Sequence, residues 1–116
     1  GHGAVIHGAT IEPNCLIGMN AVVMDDAVIG KESIIGVLTF IRQGTVVPKR
    51  SVYAGNPGKK IKDVSDEMLK WKTEGTKWYQ RLPDSFKNSL LSCDPLTEDN
   101  RNRERGKGGF SPLKSP

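Results

Sequence analysis

The chain has 116 residues, 17 Lys and Arg against 13 Asp and Glu, a formal charge of +4, and 13 glycines. That length suits one domain with a modest core, and the mild positive charge falls short of the footprint of a nucleic-acid binder, so no nucleic-acid partner is expected. No apolar stretch approaches the roughly 18 residues that a spanning helix needs, so no membrane segment is expected.

From Val5, steps of six land on Val5, Ile11, Ile17, Val23, Ile29, Ile35, Ile41 and Val47, and Tyr53 takes the next place. Two positions earlier stand Gly3, Ala9, Cys15, Ala21, Ala27, Ser33, Thr39 and Thr45, all small or β-branched. A 3.6-residue helix would scatter a period of six around its circumference, whereas a strand alternates faces every two residues and holds both phases inside. Residues 1–56 therefore read as stacked short strands, a solenoid of hexapeptide repeats and an all-β fold class. An ordinary β-sandwich fits less well, because sandwich strands are longer and their loops vary. Cys15 falls in the small inward phase and reads as a space-filling thiol.

The turn cluster Gly55-Asn56-Pro57-Gly58 ends the pattern, and residues 57–64 read as a linker. Ser65 is a helix N-cap candidate, with Asp66 and Glu67 suited to the first turn. Met68, Trp71, Trp78, Tyr79 and Leu82 then form one apolar stripe of a C-terminal α-helix over 65–82, interrupted by Gly75. Residues 83–116 lose apolar periodicity, carry several prolines and mixed charge, and are expected to be a disordered tail. Cys15 and Cys93 lie in segments of different character, which argues against a disulfide framework and for a reducing, cytoplasmic compartment. Because the sequence opens on Gly1 in mid-repeat, the natural start is expected upstream, where a targeting peptide would escape notice.

The two histidines, His2 and His7, sit in Gly1-His2-Gly3-Ala4-Val5-Ile6-His7-Gly8, at outward positions on either side of one turn. Two imidazoles there suit a shared transition-metal cation, although a catalytic zinc typically takes three protein ligands plus water. Two surface histidines with no role are the competing reading.

The stretch Gly1 to Ile11, followed by Cys15-Leu16-Ile17-Gly18-Met19-Asn20-Ala21-Val22-Val23, resembles the γ-carbonic-anhydrase-like hexapeptide-repeat family, in its phenylacetic-acid-degradation and carnitine-operon group. Ala54-Gly55-Asn56-Pro57-Gly58-Lys59-Lys60, Trp71-Lys72, Gly75-Thr76 and Tyr79-Gln80 extend the resemblance to residue 82. The His-x4-His pair is fairly specific, whereas the Gly-x-Pro-x-Lys ending is shared with hexapeptide acyltransferases. This resemblance implies a left-handed parallel β-helix with three repeats per coil, assembled as a homotrimer with Zn2+ or another divalent transition metal at each subunit interface. It implies that His2 and His7 are two of three metal ligands drawn from adjacent subunits, the third family histidine lying upstream of Gly1. It also implies that Tyr79 is a catalytic residue approaching the metal. With an 18-residue coil, Asn20 would stack on His2, and Asp25 on His7, where its carboxylate would orient the imidazole.

The expected function is therefore metal-dependent hydration of carbon dioxide to bicarbonate by a metal-bound hydroxide. One alternative is an acyl-CoA thioesterase or acyltransferase, with Lys49, Arg50, Lys59, Lys60 and Lys62 holding the phosphates of the acyl-CoA substrate. Another is a non-catalytic trimeric scaffold subunit.

Overall fold

The computed structural model describes residues 1–95. These divide into two units, residues 1–73 and residues from 74 onward, with the boundary inside the C-terminal helix.

The first unit is a left-handed parallel β-helix. Its two-residue strands are β1 Val5–Ile6, β2 Thr10–Ile11, β3 Leu16–Ile17, β4 Val22–Val23, β5 Val28–Ile29, β6 Ile34–Ile35, β7 Phe40–Ile41 and β8 Val46–Val47, followed by β9 Ser51–Ala54. Every third strand pairs in parallel, giving sheets β1-β4-β7, β2-β5-β8 and β3-β6-β9. The register stacks like on like. Ile6–Val23–Ile41, Ile11–Ile29–Val47 and Ile17–Ile35–Tyr53 form three inner columns. Val23, Ile29, Ile35 and Ile41 are fully buried, each contributing about 1.5–3 kcal/mol by leaving water. Ala21, Ala27, Ser33 and Ser51 fill the narrow corners of the core.

Each corner is turned by one residue in the left-handed region. These are Gly3, Gly8, Asn14, Asn20, Asp26, Glu32, Leu38, Gly44 and Arg50. Glycine, asparagine and aspartate tolerate that conformation, whereas Glu32, Leu38 and Arg50 hold it against a steric cost. From Gly8 these corner residues recur every six positions, but Gly3 and Gly8 are five apart. The first coil is thus one residue short. Val5 pairs with Val22 and Ile6 with Val23, a step of 17, while Thr10 pairs with Val28, a step of 18. The inward residue of the first repeat is consequently Ile6 rather than Val5, and the small inward residue is Ala4 rather than Gly3. Both phase errors arise from the short turn between Ile6 and Thr10.

The segment 57–64, expected as a linker, contains strand β10, Lys59–Asp63. β10 runs antiparallel to β9, with a bulge between Lys60 and Lys62. The Gly55–Gly58 cluster is therefore a hairpin turn rather than an exit. It is tied to β7 by Phe40 N donating to Gly55 O at 3.0 Å and Gly58 N donating to Phe40 O at 2.7 Å.

Helix α1 spans Asp66–Ser89. Ser65 caps it, its Oγ accepting from Met68 N at 3.2 Å. Within the first unit, Lys72 is 2% exposed. Its Nζ donates to Asn14 O at 2.5 Å and to Asn14 Oδ1, and Asn14 Nδ2 donates to Thr73 Oγ1 at 3.1 Å. The first turns of α1 are thus anchored by a polar contact that an apolar stripe does not foretell. In the second unit the helix continues through Pro83 to Ser89, past the end expected at residue 82. Proline removes one donor, leaving the carbonyl four residues back without its helical partner, and at Tyr79 that carbonyl belongs to an exposed residue that water can serve. Of the expected disordered tail, residues 83–89 are helical and residues 96–116 lie outside the described residues.

Candidate functional site

The short turn is where the structure concentrates polar chemistry. His7 follows β1 directly, and Gly8 turns the corner at φ +60°. One coil on, the same corner is made by Asp25 and Asp26, and the next by Gln43 and Gly44. Asp26 N donates to Gly8 O at 3.0 Å, and Gly44 N donates to Asp25 O at 2.9 Å, so the three corners form a hydrogen-bonded edge. Gln43 Nε2 adds a bond to Asp26 Oδ2 at 3.3 Å.

On this edge His7 Nδ1 lies 2.9 Å from both Asp25 carboxylate oxygens. An ionised carboxylate only accepts, so Nδ1 carries the proton it donates, and in the neutral ring Nε2 keeps its lone pair. The side chains are 68% and 39% exposed, so the imidazole is open to a ligand. Gly8 makes the contact possible. A Cβ there would run into Asp25 Oδ1 and stand 3.2 Å from Asp25 Cγ.

The expected stacking of Asp25 on His7 is therefore present, and that of Asn20 on His2 is not. The 17-residue step aligns His2 with Met19 and sets the Asn20 side chain against Gly3, where a Cβ would meet Asn20 Oδ1. His2 and Asn20 remain linked through the backbone, Asn20 N donating to His2 O at 3.0 Å. His2 is exposed and precedes β1, whereas His7 follows it. Among the described residues no three His, Cys, Asp or Glu side chains are grouped to hold a metal. His7 with Asp25 behind it has the arrangement of a metal-binding histidine, but the described chain alone falls short of the usual three ligands. Tyr79 belongs to the second unit, where it is 61% exposed and meets Trp78 edge-on, ring centroids 5.1 Å apart.

Two cysteines are free. Cys15 Sγ is directed at Gly30 O, 3.2 Å away, and burial pushes its thiol pKa up, the backbone at Ser33 and the charge of Lys72 opposing. It is a packing residue, as its phase implies. The basic residues expected to hold phosphates separate into different settings. Arg50 is committed to Asp66 at 2.5 Å and to Val64 O at 3.0 Å, and Lys49 and Lys62 are exposed on the surface. Lys59 and Lys60 instead line one cleft together with Arg42, a residue that sequence reasoning overlooked because it lies 17 positions away.

Parallel two-residue strands, a left-handed corner at every repeat and three stacked aliphatic columns define a hexapeptide-repeat β-helix. Residues 8–43 match the bacterial transferase hexapeptide (six repeats) model, so the repeats are hexapeptide repeats of that type. It is 43% identical over 108 residues to carnitine operon protein CaiE of Escherichia coli and 39% identical to that of a Proteus species. Both matches cover 93% of this chain and 55% of the relative, so the chain spans about half the length of these relatives. Among solved structures, an acetyltransferase-like protein from Bacillus cereus superposes with a TM-score of 0.71 at 27% identity, covering 73% of this chain and 49% of that one. A hexapeptide transferase family protein from Anaplasma phagocytophilum gives 0.71 at 26%, covering 74% and 52%. No described helix is long and apolar enough to cross a membrane.

Proposed function

We propose that this chain belongs to a metal-dependent enzyme of the γ-carbonic-anhydrase type, with His2 and His7 as ligands of a zinc-like ion and carbon dioxide and bicarbonate as the substrate pair. The observation that carries this reading is the carboxylate of Asp25 within 2.9 Å of His7 Nδ1 through both oxygens. A carboxylate behind an imidazole fixes its tautomer and orientation and raises the basicity of the other nitrogen, the usual support of a histidine ligand. When bound, such an ion lowers the pKa of its water toward neutrality and so supplies a nucleophile at pH 7. Asp25 would hold the neutral ring in its Nδ1–H tautomer and fix its orientation, and Gly8 would keep room for Asp25. In this reading the ligand set of each ion is shared between adjacent subunits of a homotrimer, and the described residues of one chain group fewer than three ligands.

A second reading is favoured by the transferase-type structural neighbours. The Asp25–His7 pair also suits a general base, Nε2 taking the proton from a hydroxyl or water that attacks an acyl-CoA thioester. One experiment separates the two. Purified without chelator, the metal enzyme contains about one transition-metal ion per subunit, loses hydration activity in chelator and loses metal in His7→Ala. Asp25→Asn would cut metal affinity or activity by about 10–100-fold. Chelator-resistant acyl transfer or thioester hydrolysis that His7→Ala abolishes would establish the second reading instead. Absence of both activities, with no bound metal, would leave a scaffold subunit.

A further inference from the structure

At the corner that receives the first turns of α1, an amine and a primary amide are held in contact where little water reaches. Lys72 is 2% exposed, and Asn14 and Thr73 are half-buried. Lys72 Nζ donates to Asn14 O at 2.5 Å and also to Asn14 Oδ1, while Asn14 Nδ2 donates to Thr73 Oγ1 at 3.1 Å. A lysine ammonium only donates, so the amide atom that faces it is the oxygen, and Thr73 receives the nitrogen. Contact with Oδ1 puts Nζ within about 3.5 Å of the carbonyl carbon Cγ, the separation of a near-attack arrangement.

The surroundings activate both partners. Burial lowers the Lys72 pKa from its ordinary value, the charges of Cys15 and Glu32 opposing, and a desolvated lysine becomes a nucleophile once it sheds a proton. Asn14 turns its corner in the left-handed region at φ 58°, and the corner is pinned by Glu32 N donating to Pro13 O at 3.1 Å. The amide is therefore ordered before any reaction, which removes most of the entropic barrier. Glu32 occupies the same corner one coil on, about 4.8 Å along the stack at the usual strand spacing. Its carboxylate, 3.7 Å from Lys31 Nζ, is the acidic group of this corner column and is placed to carry a proton between the amine and the amide.

We propose that Lys72 and Asn14 join through an intramolecular isopeptide bond. Nζ attacks Cγ, the Nζ–Cγ bond forms, the Cγ–Nδ2 bond breaks, and the amide nitrogen departs as ammonia. The ammonium gives its first proton to Glu32, which passes it to the departing nitrogen, and the released ammonia takes up the second. The sum is an alkylammonium and a primary amide giving a substituted amide and an ammonium ion, so no oxidant or further reactant is required. The bond ties the first turns of α1 to the solenoid across 58 residues, within the first unit. Until it forms, Lys72 remains a titrating amine, and its alkaline behaviour is a property of the unlinked chain. The inference involves neither histidine and stands without the catalytic reading.

Intact-mass spectrometry of the full chain over a time course of incubation tests the assignment. A species lighter by one ammonia, about 17 Da, is expected to accumulate, and its tryptic digest should contain a single fragment joining the Asn14 and Lys72 peptides. Lys72→Arg keeps a buried cation with its donors but has no attacking amine, and Asn14→Gly suits the left-handed corner but has no amide. Both should stay at full mass, with circular dichroism reporting that each is folded. Glu32→Gln should form the light species about tenfold more slowly or less. A parent chain that keeps its full mass throughout, or a light species that yields no joined fragment, would overturn the bond. So would the same loss in folded Lys72→Arg, which marks asparagine cyclised onto its own backbone. Linkage of Glu32→Gln at the parent rate would overturn the proton path.

Discussion

Gly8→Ala and Gly44→Ala form a matched pair, because both glycines turn corners of the same edge, at φ +60° and +68°. Alanine in the left-handed region costs about 1–2 kcal/mol at either position. Around Gly44 nothing lies within 4 Å of the new Cβ, so the variant should pay that strain and nothing else. Around Gly8 the new Cβ meets Asp25 Oδ1 and sits 3.2 Å from Asp25 Cγ. The carboxylate must swing away and release His7. Since both side chains are substantially exposed, losing that contact adds only about 0.5–1 kcal/mol. Thermal unfolding should therefore show drops of about 4–8 °C per kcal/mol, larger for Gly8→Ala. A nitrogen-15 correlation spectrum of the imidazoles should show His7 losing its single tautomer in Gly8→Ala and keeping it in Gly44→Ala. Equal melting shifts together with an unchanged His7 tautomer in Gly8→Ala would refute the placement of Asp25.

The inner and outer faces of a repeat can be compared through Ile29→Asp and Lys31→Ala. Ile29 is fully buried in the Ile11–Ile29–Val47 column, so an aspartate there should cost several kcal/mol and unfold the solenoid. Lys31 is an exposed residue 3.7 Å from Glu32, and its loss should cost under about 0.5 kcal/mol; equal shifts in a melting experiment would defeat the assigned phase. Lys72 predicts a pH dependence. Burial lowers its pKa from the ordinary 10.5, the charges of Cys15 and Glu32 opposing. Between the lowered value and 10.5 the unfolded chain binds more protons than the folded one, so stability from this group rises with pH through that window. Lys72→Met should remove that alkaline rise from denaturant midpoints measured up to pH 10.5, and an identical slope in parent and variant would contradict it.

The six-residue period was enough to place eight of the nine β-helix strands, since a column of aliphatics at that spacing has one geometric solution. It failed at Val5 because a missing residue leaves no trace in composition. Val5 and Ile6 are both aliphatic, and Gly3 and Ala4 both small, so either phase satisfies the pattern. The same one-residue step moved Asn20 from His2 to Gly3 while leaving Asp25 beside His7. The five-residue spacing of Gly3 and Gly8, against six elsewhere, is the signal that would have revealed it. β10 was hidden for another reason. Lys59, Lys60 and Lys62 look like linker because an edge strand at the foot of a solenoid buries no side chain. Arg42 meets Lys59 and Lys60 only through the β9–β10 hairpin, and nothing in the sequence singles out Lys72 for burial, because a buried amine needs Asn14, 58 residues away.

The β9–β10 hairpin also closes most of the foot of the solenoid against further parallel stacking. A stack of parallel strands offers a template at each end, and copies joined top to bottom would repeat without closing, the geometry that produces fibres. At the foot, β10 occupies the open edge of β9 in the antiparallel sense and the Gly55–Gly58 turn takes up the backbone of Phe40, so two of the three sheets can accept no parallel strand there. Lys59, Lys60 and Lys62 then repel any strand that approaches β10 itself. A copy approaching the foot of the solenoid therefore finds only the β8 edge open to parallel pairing among the described residues.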